Sequence, residues 1–386
     1  VTTPFCFLGA SLKKQEKEFR YGGQAVIDGV MMRGKTTMAT AIRRPGGDIL
    51  VDSRFVERIY NGIWRNIFFV RGIFALIESL VLGIRSLYRS ASVALEEEVK
   101  EVPKVAVVMV MIFSFAMAIG LFILVPFFIT NLLKDIVSSS FWFHFTEGII
   151  RLLIFILYIM LISLMKDIRN TFAYHGAEHA AIDAYEHKQF LDPAKIDPKK
   201  IAHARCGTSF VIMVLLIAIV VFSFVGFQQV WLMILARILL LPIIASLSYE
   251  LLMFTATNAR NPIVKVIMQP GLWFQKLTTR YPDEKQLEVA VAAIRRVLNV
   301  DKAGGDMALA NISEKIATVS KQDGQDIDQV YDVIIKELLA AKEQGGMAAV
   351  YTVENKYITL GQLEQNSQAI AGAKVTVKKE ASNEGD

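Results

Sequence analysis

Cysteine is almost missing from this chain: among 386 residues only Cys6 and Cys206 occur, too far apart and too few to suggest a disulfide framework. Charge is also scarce. A fifth of the residues are Asp, Glu, Lys or Arg, against about 25% in ordinary soluble domains, while 53% are hydrophobic. No apolar stretch follows the basic run Lys13–Arg20, so no cleavable signal peptide is expected. The glycines match neither a phosphate-binding loop nor a dinucleotide fingerprint, and there is no internal repeat or low-complexity tract. The small excess of base over acid, +5 in all, lies between apolar runs rather than in a patch. That placement argues for a membrane-orientation signal and against nucleic acid as a partner.

Long apolar runs are what the chain does have. A spanning helix needs about 20 mostly apolar residues, and four stretches qualify: Val105–Ile129, Ile149–Met165, Thr208–Gly226 and Val230–Phe254. In the second, Arg151 is expected to reach toward an interface, and Phe141, Trp142, Phe143 and Phe145 just before it read as an interfacial aromatic belt. The segment 67–84 is different. Arg71, Glu78 and Arg85 recur every seven residues and so share one helical stripe, with Phe68, Phe69, Ile73, Leu76, Ile77 and Leu80 elsewhere around it. A charge at a bilayer centre costs roughly 2.5–3.5 kcal/mol on insertion scales, so an in-plane or re-entrant amphipathic helix is expected here rather than a fifth span. Lys and Arg crowd the 166–206 loop and the segment after the last span, which puts both with the two termini on the cytoplasmic side.

The expected fold is therefore an α-helical polytopic membrane protein with smaller soluble pieces. A tail, 1–20, precedes a glycine-rich, β-rich segment, 21–60, in which Thr37–Arg44 and Asp48–Phe55 form strands joined by Pro45-Gly46-Gly47. The amphipathic segment falls in 61–100 and the four-helix core in 101–256. In 257–300, Asp283 caps a helix with Gln286 three residues on, and Leu287, Ala290, Val291, Ile294, Val297 and Leu298 hold helical spacing. Residues 301–386 change to a soluble composition and read as an appended α/β module: Ile327, Val330, Tyr331, Ile334 and Leu338 share a helical face, and Ala348–Val353 with Tyr357–Leu360 make a hairpin.

Histidine carries the chemistry. Four of the five, His175, His179, His187 and His203, fall in the single 166–206 loop, and the run Tyr174-His175-Gly176-Ala177-Glu178-His179 fits H-x-x-E-H. On a helix, residues i and i+4 share a face, so both imidazoles can reach one metal ion. Glu178 lies one residue round, suited to act as a general base, and Asp183 and Glu186 follow along the face as outer partners. His203 and Cys206 lie at the mouth of the third span and Glu250 near the same end of the fourth, all at one depth by topology. His175, His179 and one of Glu250, His203 or Cys206 would supply the three protein ligands that a catalytic zinc takes. The bland alternative is two solvated histidines on an exposed helix, and the gathering of further donors at one depth favours metal. His187 reads as a surface residue and His144 as interfacial. The stretch Tyr21–Gly34 reads as a lead into the hairpin rather than a ligand loop. Glu147, Arg151 and Arg237 are expected to pair with one another.

Four stretches resemble the YqhQ-like family of bacterial multi-pass membrane proteins, which carries the label of a predicted metal-dependent enzyme. They are Gly22–Arg33, Tyr174–His179, His203-Ala204-Arg205-Cys206-Gly207-Thr208-Ser209-Phe210 and Pro270–Thr279, and the likeness covers about residues 20–300. Asp28 stands where the family commonly has Glu, and Ala180 where it often has Lys. The resemblance implies a bacterial plasma-membrane protein with a divalent transition metal, zinc by its ligand types. The expected activity is a hydrolase at the cytoplasmic interface, acting on a lipid-linked molecule or a membrane peptide. The competing expectation is a non-enzymatic assembly factor that meets protein partners through 67–84 and 301–386. A transporter is disfavoured, because Arg237 and Glu250 lie toward opposite ends of the last span.

Overall fold

The first ordered element follows from apolar alternation. A computed structural model describes residues 19–57, 62–94, 104–137, 139–225, 230–307, 309–311, 313–314, 326–343, 350–353, 356–359 and 375–377. Cys6, nearly all of the tail 1–20 and the Gly345-Gly346 joint lie outside them. Strands β1 (Gly22–Val26), β2 (Gly29–Arg33), β3 (Thr37–Arg43) and β4 (Ile49–Phe55) form an antiparallel meander in that order. The glycine-rich stretch is thus itself a hairpin. Its turn turns on Asp28, which sits at φ +48, a conformation that short polar side chains tolerate. Successive strand residues point to opposite faces. Val30, Met32, Ala39 and Ala41 enter one core, while Met31, Val26 and Met38 enter another with Val56 and Leu82. A strand covered on both sides has no polar face to show, which explains why Gly-Val-Met-Met reads as an unbroken apolar run.

The first face of the sheet is covered by α5 (Lys166–Glu186) and α9 (Glu284–Lys302). Ala173, Ala177, Ala180, Ala181 and Ala184 give α5 a small-residue side that lets it lie close, and alanine also favours helix. Helix α9 begins with the expected capping box, Asp283 and Gln286 each bonding the other's backbone N–H. All six of its expected apolar residues are buried. The other face receives α1 (Val70–Ala94). Its seven-residue charge stripe is answered one by one: Arg71 by Glu250 at 2.5 Å, Glu78 by Arg33 at 2.8 Å and Arg85 by Glu57 at 2.7 Å. With the charges turned to protein, Leu76, Ile77, Leu80, Ile84, Leu87 and Tyr88 are left exposed.

Four helices are long and apolar enough to cross a membrane. Val108–Leu132 runs through α2 (Lys104–Ile119), one π turn at Gly120–Leu124 and α3 (Val125–Leu132). The others are α4 (Ser140–Ile162), α6 (Gly207–Phe224) and the Leu235–Thr257 part of α7 (Val230–Thr257). Helix α1 is not among them. The second apolar run begins and ends earlier than its hydropathy suggested, because the aromatic belt residues are helical and the chain breaks at Ser163 before α5. Arg151 pairs with Glu147, as expected, and its Nε donates to the Phe122 carbonyl; a paired charge inside the bundle is cheaper than a bare one in an apolar surround.

A further helix, α8 (Pro262–Thr278), starts at an Asn261 cap followed by proline and packs on α6. Gly271 makes that approach possible, since a Cβ there would lie 2.8 Å from Ser209 Oγ. In the appended module, the helix Ile327–Glu343 packs through Tyr331, Ile334 and Ile335. Val350–Val353 pairs with Lys356–Thr359 as the expected hairpin, with Val375–Val377 on its other edge.

Candidate metal centre

H-x-x-E-H sits in the middle of α5, and helical spacing does put His175 and His179 on one face, with ring centroids 4.5 Å apart. What completes the group arrives from distant chain. After α8, residues 278–281 run so close across α5 that a Cβ on Gly176 would lie 2.0 Å from the Arg280 carbonyl oxygen. Arg280 N–H donates to the Phe172 carbonyl there. This passage brings the Thr278 carbonyl to His175, whose Nδ1 lies 2.8 Å from it. On the other side, the Ile201 carbonyl lies 2.5 Å from His179 Nδ1. A carbonyl can only accept, so both Nδ1 atoms carry a proton and Nε2 is the atom each ring has left to offer a metal.

Those Nε2 atoms converge on Cys206, the N-cap of α6. His175 Nε2 is 3.2 Å from its Sγ, and the ligating atoms of His175, His179 and Cys206 all lie within 4.8 Å of one another. The loop that delivers Cys206 is pinned by Gln275, which is 1% exposed. Its carboxamide accepts from His203 N–H and donates to the His203 carbonyl and to Ser209 Oγ, at 3.0, 2.8 and 2.6 Å. Glu178 is buried, with Oε2 3.6 Å from His179 Nε2. It is pressed from behind by β1, where a Cβ on Gly23 would meet its Cγ at 2.8 Å.

Burial works against charge on these groups, and their mutual contacts outweigh it. The hydrogen bond to Cys206 pushes the His175 imidazole up. The negative charge of Glu178, with the Cys206 contact, pushes His179 up to about 9. The two imidazoles together hold the Cys206 thiol well below its ordinary value. A thiol that readily gives up its proton between two oriented imidazoles is a soft anionic donor beside two nitrogen donors, the mixture that suits zinc and neighbouring first-row metals.

The other sequence candidates separate. Glu250 does not join the group: its carboxylate is taken by Arg71 and by Phe69 N–H. The reason is that α1 packs along α7, with Gly72 set against Ser246 and Tyr249. His203 stands beside the cluster, its ring centroid 5.4 Å from that of His179, with Glu186 and Arg205. Glu186 is held down to about 2 by the facing His203 imidazole, 3.9 Å away, and by the bonded Arg205, against the opposing effect of burial. Asp183 lies with His187, which is exposed. His144, expected at an interface, is buried against Glu147. Gln275, Thr278 and Ile201 were not singled out from the sequence. Two of them act through backbone carbonyls, which any residue carries, and only the close-packing glycines Gly176 and Gly271 hinted at the passage that brings them in.

Residues 67–300 match the family model described as "Protein of unknown function (DUF1385)". The chain is 32% identical over 297 residues to "Uncharacterized protein YqhQ" of Bacillus subtilis (strain 168), an alignment covering 73% of this chain and 93% of the relative. No solved structure matches it.

Proposed function

We propose that this chain, which belongs to the YqhQ-like DUF1385 family of proteins of unknown function, is a metal-dependent hydrolase embedded in the bacterial plasma membrane, with its centre at the cytoplasmic interface. The observation that carries the reading is the convergence of His175 Nε2, His179 Nε2 and Cys206 Sγ, with each imidazole's other nitrogen fixed by a backbone carbonyl. A solvated pair of histidines has no use for such orientation, whereas metal-bound histidines almost always show it. Three protein donors is also the number that catalytic rather than structural zinc sites use. Four long apolar helices, one of them exposed along nearly its whole length, support a bilayer as the surrounding medium. The lysines and arginines of the 166–206 loop support a cytoplasmic placement of the centre and of both termini.

In this reading His175, His179 and Cys206 hold the ion and Thr278, Ile201 and Gln275 keep them in place. The ion supplies Lewis-acid polarisation of a substrate carbonyl or phosphoryl oxygen. Glu178 takes the proton from the attacking water, its carboxylate already beside the donor set. Arg205 and His203, at the half-buried edge, offer positive charge and a hydrogen-bond donor to an anionic part of a lipid-linked or peptide substrate.

Elemental analysis of the detergent-purified protein tests this. About one equivalent of zinc or another transition metal is expected, and a His175→Ala/His179→Ala variant with unchanged circular dichroism should carry none. Wild-type protein that stays metal-free after exposure to zinc, manganese and iron leaves a non-enzymatic membrane assembly factor as the better account.

A further inference from the structure

At the other end of the helix bundle lies a second charged group that the proposed hydrolysis does not use. Cys206 starts α6, and Phe224 ends it beside Phe141 of the first turn of α4. Beyond that aromatic contact come His144 and Glu147 on α4 and Arg237 on α7, and Arg151, from the middle of α4, pairs one turn back with Glu147. Glu147, 1% exposed, receives both guanidiniums: Arg151 on Oε1, and Arg237 on Oε2 at 2.8 Å. His144 Nδ1 is 3.4 Å from the same Oε2. Arg151 is held from a third side. Pro126 has no N–H for the carbonyl four residues before it, which is that of Phe122 in the π turn. That carbonyl accepts from Arg151 Nε at 2.9 Å.

The group does not balance. One carboxylate faces two guanidiniums, and among the described residues no other acid lies within 4 Å of either. One positive charge is therefore left over among apolar helices, where an uncompensated charge is costly. Each guanidinium has five N–H donors. Arg237 spends one on Glu147 and lays its face on Phe222, 5.7 Å from the ring centroid. Its side chain is 24% exposed and that of Arg151 18%, so neither guanidinium is wholly enclosed. The aromatic residues Phe141, Trp142 and Phe145 around this end are the kind that sit at headgroup level in a bilayer. Paired guanidiniums match the oxygens of a phosphate group with charge as well as geometry.

We propose that Arg151 and Arg237, braced by Glu147 and the Phe122 carbonyl, bind the phosphate group of a lipid headgroup at the bundle end away from the His175–Cys206 centre. The inference rests on the membrane reading above but not on the metal. A bound phosphate supplies the missing negative charge, and the lipid chains lie along the exposed faces of α3 and α4.

The test uses the full chain, purified in an uncharged detergent and stripped of lipid, with short-chain phosphatidylglycerol and inorganic phosphate as separate probes. Native mass spectrometry counts bound lipid. Wild type is expected to bind about one phosphatidylglycerol tightly, Arg237→Gln to bind it at least tenfold more weakly, and Arg260→Gln, an exposed arginine after α7, to match wild type. Arg237→Gln leaves a neutral Glu147–Arg151 pair and should therefore fold. Arg237→Lys, which keeps charge but loses the planar fork, should fall between. Equal affinity in wild type and both Arg237 variants overturns the site. Inorganic phosphate that displaces the lipid at equal concentration overturns the lipid assignment in favour of a soluble phosphate. Failure of the membrane reading would show separately, as protein released from membranes by alkaline carbonate without detergent.

Discussion

Glu178 and Gly176 are neighbours on α5 in a sense that matters, because one is proposed to do chemistry and the other only makes room for it. Glu178→Gln keeps the size and burial of the side chain but cannot accept a proton. Metal content and melting temperature should stay at wild-type values, and turnover, once a substrate is in hand, should fall by about 10²–10⁴. Full turnover in that variant would remove Glu178 as the base. Gly176→Ala should do the reverse. Its Cβ would have to displace the Arg280 carbonyl, and overpacking of this kind costs roughly 1–3 kcal/mol. Because the same strand positions Thr278 on His175, a lower melting temperature should come with lost metal. Glu186 gives a pH dependence. Its folded value of about 2 lies below the ordinary carboxylate value, so its stabilisation is complete above about pH 4.5 and disappears as pH falls toward 2. With a side chain 35% exposed, screening reduces the effect to about 1 kcal/mol. The melting-temperature gap between wild type and Glu186→Gln, followed by circular dichroism, should be constant near neutrality and close on acidification.

Elements differ in how much of their role was legible. For α1 the seven-residue recurrence of Arg71, Glu78 and Arg85 announced one charged stripe, and the three are met by Glu250, Arg33 and Glu57. Which partners they would find was not legible, since these come from α7, β2 and the chain after β4. The pairs are not equivalent. Arg33 and Glu78 are 11% and 9% exposed, while Arg85 and Glu57 are about half exposed. Glu78→Ala takes the facing carboxylate from a buried guanidinium and should cost about 3–5 kcal/mol. Arg85→Ala should cost less than about 1 kcal/mol. Equal losses in thermal melts would mean that α1 is not seated on the sheet as described. Helix α9 was legible nearly whole, through its capping box and six spaced apolar residues. Helix α8 was not recognised, because Pro270 and Gly271 look like breakers until Gly271 is seen against Ser209.

At the scale of the whole molecule, three stretches separated by roughly a hundred residues each make one layer. The meander 22–55, α5 and α9 share a core, and Asp301 ties α9 back to the start of the chain. Its carboxylate accepts from Lys35 N–H, from Thr36 N–H and hydroxyl, and from Tyr21 OH. If this layer faces the cytoplasm, a cysteine introduced at Lys195 should react with an impermeant thiol reagent only from that side. One at Asp135, in the turn before α4, should react only from the other. Labelling of both from one side would contradict a four-span topology.

Sequence alone determined the properties that depend on neighbours within a few turns. Apolar length gave the four long helices, and the Asp283–Gln286 spacing gave a helix start. H-x-x-E-H gave two imidazoles on one face, because helical geometry repeats every four residues or so. Tertiary structure decided what depends on packing between distant segments. Cys206, His203 and Glu250 were equal candidates by depth, and depth says nothing about direction across the bundle. The close passage at Gly176 and the Gln275 clamp bring Cys206 to the histidines, while α1 draws Glu250 to Arg71. The same holds for Arg151, whose charge was plain in the sequence. Its pairing with Glu147, one turn away on the same helix, was expected from the sequence, but the Phe122 carbonyl and the second guanidinium on Glu147, Arg237, arrive only because α3, α4 and α7 meet.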